Sequence, residues 1–107
     1  MTLAEAKDRF LYEKQLKNCS QETVKSYHYF IKVFVNYVGQ RDVVDLTMDD
    51  IERYALHLYG SDLSSATHHT YLHHLRIFLN WCAKHEELQF DPTEIAVPKS
   101  PKKSLRI

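Results

Sequence analysis

The stretch VKSYHYFIKVFVNYV, residues 24–38, decides the fold of this chain. Its apolar side chains recur at intervals of three and four, which is the period of one face of an α-helix: Val24, Tyr27, Ile31, Phe34 and Val38. A β-strand is the alternative, because the stretch is rich in β-branched and aromatic residues. Strand alternation would mix Lys25 with Tyr27 and Ile31 on one face, so it separates polar from apolar residues poorly. The stretch therefore predicts an amphipathic helix.

Three more helices are predicted, and each of the four follows a hydroxyl residue that suits an N-cap. The first opens with a capping-box pattern, Thr2 followed by Glu5. Few breakers interrupt the helices, since the chain has two glycines and three prolines, and all the prolines follow residue 91. The helices are expected to run from Thr2 to about Lys17, from Ser20 to near Gly39, from Thr47 to Gly60, and from Ser64 or Ser65 to about Glu86.

The chain has 107 residues, which is the size of one domain. Asp91-Pro92 ends the last helix, because the residue before a proline disfavours helical backbone. We therefore expect a helical domain over residues 1–91 and a basic, proline-containing linker over residues 92–107. Ile95 and Val97 are expected to pack on the domain before the chain leaves it.

The formal net charge is zero, so composition alone does not indicate a nucleic-acid partner. The charges are unevenly spread: residues 40–62 carry two basic and six acidic side chains, and residues 98–107 carry four basic and no acidic ones. Cys19 and Cys82 are far apart and match no metal or redox spacing, and free thiols suit a reducing cytoplasm. The sequence shows no signal peptide and no membrane-length apolar stretch, so a cytoplasmic location without membrane contact is expected.

The order of these signals resembles the N-terminal, SAM-like core-binding domain of tyrosine recombinases and phage integrases. Each matching piece is weak alone, since most of its positions are core or cap, but five pieces in the right order are specific. They are Phe10-Leu11; Ser20, Thr23, Tyr27, Ile31 and Phe34; Asp45, Leu46, Thr47, Asp50, Ile51, Tyr54 and Leu58; Ser64, Thr67, Leu72, Leu75, Arg76, Phe78 and Trp81; and Asp91-Pro92, Ile95 and Pro98-Lys99. His68 departs from the family, which commonly has an aliphatic residue there.

The resemblance implies an all-α, four-helix orthogonal bundle that clamps a recombination half-site for DNA integration or excision. In that family the tyrosine nucleophile and its arginine, lysine and histidine partners lie in a second domain, so this part is expected to be non-catalytic. The implied partners are double-stranded DNA, the catalytic domain of the same chain and other recombinase protomers on the DNA. No cofactor is implied.

The resemblance also implies that the second and fourth helices cross the DNA groove. The candidate DNA contacts are then Gln21, Lys25, Ser26 and Tyr29 on the second helix, Thr67, His69, Thr70, His73 and Arg76 on the fourth, and the tail lysines Lys99, Lys102 and Lys103. Ser26 and His69 are predicted to read base edges, whereas Lys25, Arg76 and the tail lysines are predicted to neutralise phosphates. Three plainer interpretations stay open: any surface helix has a polar stripe, Arg76 can instead pair with an acidic residue of the third helix, and the tail can be a solvated linker.

The histidines of the fourth helix suggest two interpretations. His69 and His73 have the i, i+4 spacing of a helical zinc pair, and His74 is adjacent, but zinc needs three or four ligands and no acidic residue or cysteine shares their face. A metal site is therefore not predicted. Partial protonation fits better, since histidine titrates near pH ~6.5 and a phosphate favours its charged form. DNA affinity is then expected to rise between pH 8 and pH 6.

Two rival function classes remain. A helical protein-interaction module predicts an exposed apolar patch around Phe30, Val33 and Tyr37 and no salt-dependent DNA binding. A metal-binding bundle predicts that a chelator changes the melting temperature. An enzyme is not indicated, because the sequence contains no nucleotide-binding glycine motif, P-loop or nucleophile elbow.

Overall fold

The computed structural model describes residues 1–97, with the side chain of residue 65 excepted. Within them the chain forms four α-helices: α1 (Leu3–Leu16), α2 (Gln21–Val38), α3 (Met48–Tyr59) and α4 (Ser65–His85). Short 3₁₀ turns at Val43–Asp45 and Pro92–Glu94 complete the described secondary structure, which contains no β-strand. The all-α, four-helix fold predicted from the sequence is confirmed.

The helix starts lie where the hydroxyl residues predict them. Thr2 accepts a hydrogen bond from the backbone N–H of Glu5, whose carboxylate accepts one from the Thr2 N–H in return, so the predicted capping box is present. Ser20, Thr47 and Ser64 each accept a hydrogen bond from a backbone N–H three residues later. Ser64, rather than Ser65, is therefore the N-cap of α4. At the other end of α2, Gly39 has a φ of 84°, a conformation that favours glycine.

Phe10 lies at the centre of the contacts among α1, α2 and α4. Its ring is 1% exposed and meets three other rings edge to face. The centroid distances are 5.2 Å to Tyr27 of α2, 5.5 Å to Phe78 and 5.8 Å to Trp81 of α4. Edge-to-face geometry is favoured by the aromatic quadrupole. This single side chain therefore fixes the positions of the two helices that carry the candidate site relative to α1.

The third helix joins the bundle through Tyr54, which is fully buried. The Tyr54 ring lies 5.1 Å from Phe34 and 5.3 Å from Tyr37, both on α2. Of the apolar stripe that predicts α2, Ile31 and Phe34 are fully buried, while the other members are half-buried. The stripe thus identifies the correct face of α2, and its middle lies deepest in the core.

The chain still packs on the bundle after α4 ends. The 3₁₀ turn that begins at Pro92 lies against α4, and Pro92 and Ile95 are buried. Val97 is half-buried against the same core. The predicted packing of Ile95 and Val97 is therefore confirmed, whereas the division into a domain of residues 1–91 and a linker of residues 92–107 stays a prediction.

Candidate DNA-binding surface

Aromatic rings line the seam between α2 and α4. The ring of Phe30 lies 4.8 Å from that of Tyr71 and 4.7 Å from the imidazole of His74. Tyr27 contacts the same imidazole at 5.1 Å, one turn earlier on α2. At the solvent edge of the seam, the hydroxyl oxygens of Tyr29 and Tyr71 are 3.2 Å apart. The seam therefore holds the two helices side by side, with a pair of phenol hydroxyls between them.

The hydroxyl pair joins a predicted site residue to one that sequence reasoning missed. Tyr29 is 47% exposed, as predicted, and its contact is Tyr71, which the sequence suggests only as an extension of the apolar stripe of α4. The hydrogen bond with Tyr29, together with burial, raises the pKa of Tyr71 to about 12. Tyr71 therefore stays protonated at neutral pH, and a phenol hydroxyl can donate or accept a hydrogen bond at this edge. The signal for Tyr71 was its place directly after Thr70 on the predicted DNA-facing half of α4.

The polar stripe of α4 begins with two stacked histidines. The rings of His69 and His73 are nearly parallel, with centroids 5.6 Å apart and an interplanar angle of 9°, and both residues are half-buried. Burial lowers the pKa of His73, and the neighbouring His74, His69 and Arg76 lower it further. His73 is therefore neutral at pH 7 in the free domain. Bringing a phosphate close to this imidazole would oppose these effects and favour the charged form.

The two threonines of the predicted site are already engaged within α4. The Thr67 hydroxyl lies 2.9 Å from that of the N-cap Ser64, and the Thr70 hydroxyl donates to the carbonyl of Ala66 at 3.0 Å. One ring nitrogen of His74 also lies 2.8 Å from the Thr70 carbonyl oxygen. Both threonines thus support the first turns of α4. Thr70 keeps its oxygen lone pairs available to a ligand, because its proton is donated to Ala66.

Gln21, Lys25 and Ser26 are exposed at the start of α2, as predicted. Gln21 and Lys25 line a shallow depression beside the α1–α2 turn, together with Asn18 and Cys19 of that turn. The structure therefore brings Tyr29 of α2 directly to α4, whereas Gln21 and Lys25 lie toward α1. The candidate surface is a band along α2 and α4 and not a single pocket.

Ion pairs distinguish the basic residues of this band from those of the α3 region. Arg41 pairs with Asp50 and Arg53 pairs with Asp49, each with a nitrogen–oxygen distance of 2.8 Å. Lys32 is exposed three residues after Tyr29 and thus belongs to the same side of α2. Lys25, Lys32 and Arg76 form no ion pair within residues 1–97. In particular, Arg76 is half-buried and makes no ion pair with α3 in the described part of the chain. Cations without carboxylate partners remain free to neutralise the charge of a ligand.

Sequence reasoning also missed a second group of basic residues. Lys14 and Lys17 at the end of α1 converge with Lys84 at the end of α4, on two sides of one groove. Lys84 follows Asn80 at the i, i+4 spacing of the α4 stripe, which was the available signal. The sequence contains no such signal for the lysines of α1, because only the packing of α1 on α4 brings them to the groove.

Other predicted features lie outside the described residues or find no counterpart in them. The tail lysines Lys99, Lys102 and Lys103 follow residue 97, so the structure does not describe them. Among residues 1–97, no group of three or more histidine, cysteine or acidic side chains is arranged to hold a metal ion. None of the helices in this part of the chain is long and apolar enough to cross a membrane.

The patch expected for a protein-interaction module is largely covered. Phe30 and Val33 are half-buried, and Phe30 packs in the α2–α4 seam. The Tyr37 ring rests on Tyr54 and His57, and its hydroxyl donates to the carbonyl of Arg53. The most exposed large apolar side chains lie on α1 and α3 instead: Tyr12, Leu16, Leu56 and Tyr59.

Comparison with known proteins identifies the fold and the family. Residues 7–62, which are more than half of the chain, match the family model described as the N-terminal SAM-like domain of phage integrase. The chain belongs to this family. A solved structure, the N-terminal domain of a phage integrase/site-specific recombinase from Haloarcula marismortui, superposes with a TM-score of 0.81 at 27% sequence identity. The match covers 92% of this chain and 97% of that one, and no curated protein matches.

One histidine of α4 belongs to the core of this integrase domain and not to its polar stripe. His68 is 6% exposed and packs against Tyr59 with ring centroids 4.2 Å apart. It serves as a core residue at the start of α4, as its spacing suggests. The histidines at positions 69 and 73 are different, because they lie on the half-buried stripe beside the α2–α4 seam.

Proposed function

We propose that this SAM-like integrase domain binds duplex DNA of a recombination half-site through the band formed by α2 and α4. The parent protein is then a tyrosine recombinase that integrates or excises DNA, and the residues that cut and rejoin the DNA lie in its second domain. Other protomers and that catalytic domain complete the grip on the DNA. The family supports a place in a site-specific recombinase, and the charge pattern of the described residues supports the choice of surface.

One observation carries the choice of α2 and α4. Lys25, Lys32 and Arg76 lack carboxylate partners within residues 1–97, whereas the two arginines of the α3 region are each neutralised by an aspartate. A DNA-binding surface gains affinity by replacing condensed counterions with its own cations. Arginines that are already paired must first give up those partners, which costs part of the gain. The band on α2 and α4 is therefore the better phosphate ligand.

Base reading is assigned to polar groups along the same band. The imidazole of His69 and the hydroxyl of Ser26 can each take part in hydrogen bonds with base edges, and a hydroxyl can both donate and accept. The phenol pair of Tyr29 and Tyr71 adds two more hydroxyls on the same band. Lys25 and Arg76 are assigned to phosphates, which fix position and contribute affinity without reading sequence.

The test is an NMR titration of the domain with a mixed-sequence duplex of about 20 base pairs, or two helical turns. Chemical-shift changes should concentrate on α2 and α4. Lys25→Gln and Arg76→Gln should each reduce the slope of log affinity against log salt by about 0.9, the value for one phosphate contact. Arg53→Gln is the matched control, because it removes one exposed positive charge from α3.

Two results would refute this surface. Shifts confined to α1 and α3 would place the ligand elsewhere. Equal salt slopes for the wild type, Lys25→Gln and Arg76→Gln would show that neither residue contacts phosphate. An absence of salt-dependent DNA binding in the wild type would favour the protein-interaction module and reject DNA binding by this domain.

A further inference from the structure

The groove between the C-terminal ends of α1 and α4, here the α1–α4 groove, gathers positive charge from two helices. Lys14 and Lys17 of α1 line one side, and Lys84 and His85 of α4 line the other, with Asn80 one turn before Lys84. Glu13 is the acidic side chain of this lining. Three lysines therefore share the groove with one carboxylate, and the groove is a positive feature of a chain without net charge.

The groove is built on the core rather than on loose surface side chains. Its floor includes Phe10 and Trp81, which are 1% and 8% exposed. The indole N–H of Trp81 donates to the Glu13 carboxylate at 3.2 Å, and Lys17 lies 3.7 Å from the same carboxylate. Glu13 is thus held in place by one hydrogen bond and one ion pair. One of its partners comes from each helix, so it links the two walls.

Lys14 and Lys84 differ from Lys17, because neither pairs with a carboxylate of the described residues. The Lys14 ammonium lies over two rings, 5.2 Å from the Phe10 centroid and 5.6 Å from that of Tyr27. These cation–π contacts orient the side chain while leaving its charge without a carboxylate partner. Lys84 is exposed and forms no ion pair within residues 1–97. The groove therefore offers at least two cations that no carboxylate of the described chain neutralises.

The groove continues the band on α2 and α4. On α4, His69, His73, Arg76, Asn80 and Lys84 follow one another by three or four residues, so they share one side of the helix. At 1.5 Å per residue, Lys84 lies about 12 Å along the axis from Arg76 and about 22 Å from His69. The major groove of B-DNA is about 12 Å wide. If residues 69–76 lie in that groove and α4 runs across it, Lys84 lies over the sugar–phosphate backbone that borders it.

We propose that the α1–α4 groove binds this bordering phosphate backbone through Lys14, Lys17 and Lys84. The inference rests on the proposed function and extends the contact surface from two helices to three. It gives α1 a direct part in holding DNA. Because phosphates carry no sequence information, the groove contributes affinity and register and leaves base selection to α2 and α4.

A purely structural role is the competing explanation of these lysines. Lys14, Lys17, Lys84 and His85 lie in or after the last turns of their helices, where positive charge complements the helix dipole. In that case their removal lowers the melting temperature and leaves DNA binding unchanged. An acidic segment of a partner protein is another candidate ligand, and it would bind without any contribution of the groove to DNA affinity.

The test compares the wild type with the double variant Lys17→Gln/Lys84→Gln on the same duplex, by fluorescence anisotropy at several salt concentrations. Both side chains are exposed, so the fold should persist. The salt slope should fall by about 0.9 to 1.8, the values for one and two phosphate contacts, because Lys84 has no carboxylate partner whereas Lys17 must first leave Glu13. Lys84→Glu should weaken binding further than Lys84→Gln. Arg53→Gln again controls for a general loss of positive charge.

A second readout uses Trp81, the one tryptophan of the sequence. Its indole N–H resonance reports on the hydrogen bond to Glu13 at the floor of the groove. DNA should shift this resonance in the wild type and in Arg53→Gln, and should shift it much less in the double variant. The readout is specific, because α2 and its predicted contacts lie outside this groove.

The outcomes separate this inference from the function on which it rests. If the wild type binds DNA through α2 and α4 but the double variant keeps its slope, the groove inference is wrong and the proposed function stands. A lower melting temperature with an unchanged slope likewise rejects the groove inference, and it favours the helix-dipole role. If the wild type shows no salt-dependent binding to DNA, both proposals fail together.

Discussion

Replacing Phe10 with alanine tests whether one aromatic ring holds α1 to the two helices of the candidate site. Truncating a buried phenylalanine usually costs about 3–5 kcal/mol, as lost burial plus a cavity. Phe10 is 1% exposed and meets three rings edge to face, and each such pair adds about 0.5–1.5 kcal/mol. The loss should therefore fall in the upper half of the range, at about 4–5 kcal/mol. A domain of this size has a total stability of about 5–15 kcal/mol.

The assay is urea unfolding followed by far-ultraviolet circular dichroism, with free energies obtained by linear extrapolation. If Phe10→Ala is too unstable to measure, Phe10→Leu supplies the number, with an expected loss of about 1.5 kcal/mol because apolar volume is mostly kept. Tyr12→Ala is the matched control on the same helix. Tyr12 is 62% exposed, so its truncation should change stability by less than about 0.5 kcal/mol. A loss for Phe10→Ala as small as that of the control would show that the ring is not central to the core.

Three further predictions concern titrating groups. Burial alone would raise the pKa of Asp50, but hydrogen bonds from Thr47 and Arg41 outweigh this effect and lower that pKa. Asp50→Asn should therefore cost about 1 kcal/mol at pH 7. That difference should shrink as the pH falls below about 4 and the carboxylate of the wild type protonates. Because the pKa of His73 is lowered by burial, its contribution to stability is complete above pH ~6.5 and is lost as the pH falls below that value. His73→Gln should therefore flatten the acid side of the stability curve, and it should also reduce the rise in DNA affinity between pH 8 and pH 6. An unaltered pH dependence of both would contradict this role. Tyr29→Phe removes the hydroxyl that raises the pKa of Tyr71 to about 12, so NMR titration of labelled tyrosine should find that pKa closer to 10.

The sequence predicts the helices well because their signals are local. A cap joins residues three apart, as Thr2 and Glu5 or Ser64 and Thr67 show, so the bond can be foreseen before any tertiary contact is known. The period of α2 likewise depends only on spacing. It identifies Ile31 and Phe34 as core, and both are fully buried.

The candidate surface is harder to foresee, because it depends on how the helices pack. Lys14 and Lys84 are 70 residues apart in the sequence, and only the packing of Phe10 against Phe78 and Trp81 brings their helices together. Tyr71 appears apolar in the stripe of α4, yet its hydroxyl reaches Tyr29 across the seam. Periodicity shows which side of a helix is polar, but it does not show which other helix lies beside that side.

A chain without net charge can still bind DNA, because salt confines electrostatic interactions to short distances. At physiological ionic strength the screening length is about 8 Å, so a bound phosphate responds to its neighbouring cations and hardly to charges across the domain. Here the acidic residues concentrate between residues 40 and 62, where Asp49 and Asp50 neutralise Arg53 and Arg41. Lys25 and Arg76 lie on other helices and keep their charge for a ligand.

The same screening removes long-range steering, so association should be slow for a DNA-binding domain, and affinity should depend on contacts made after docking. A catalytic domain tethered to this one and bound to DNA would speed association, because it would raise the local concentration of DNA around this domain.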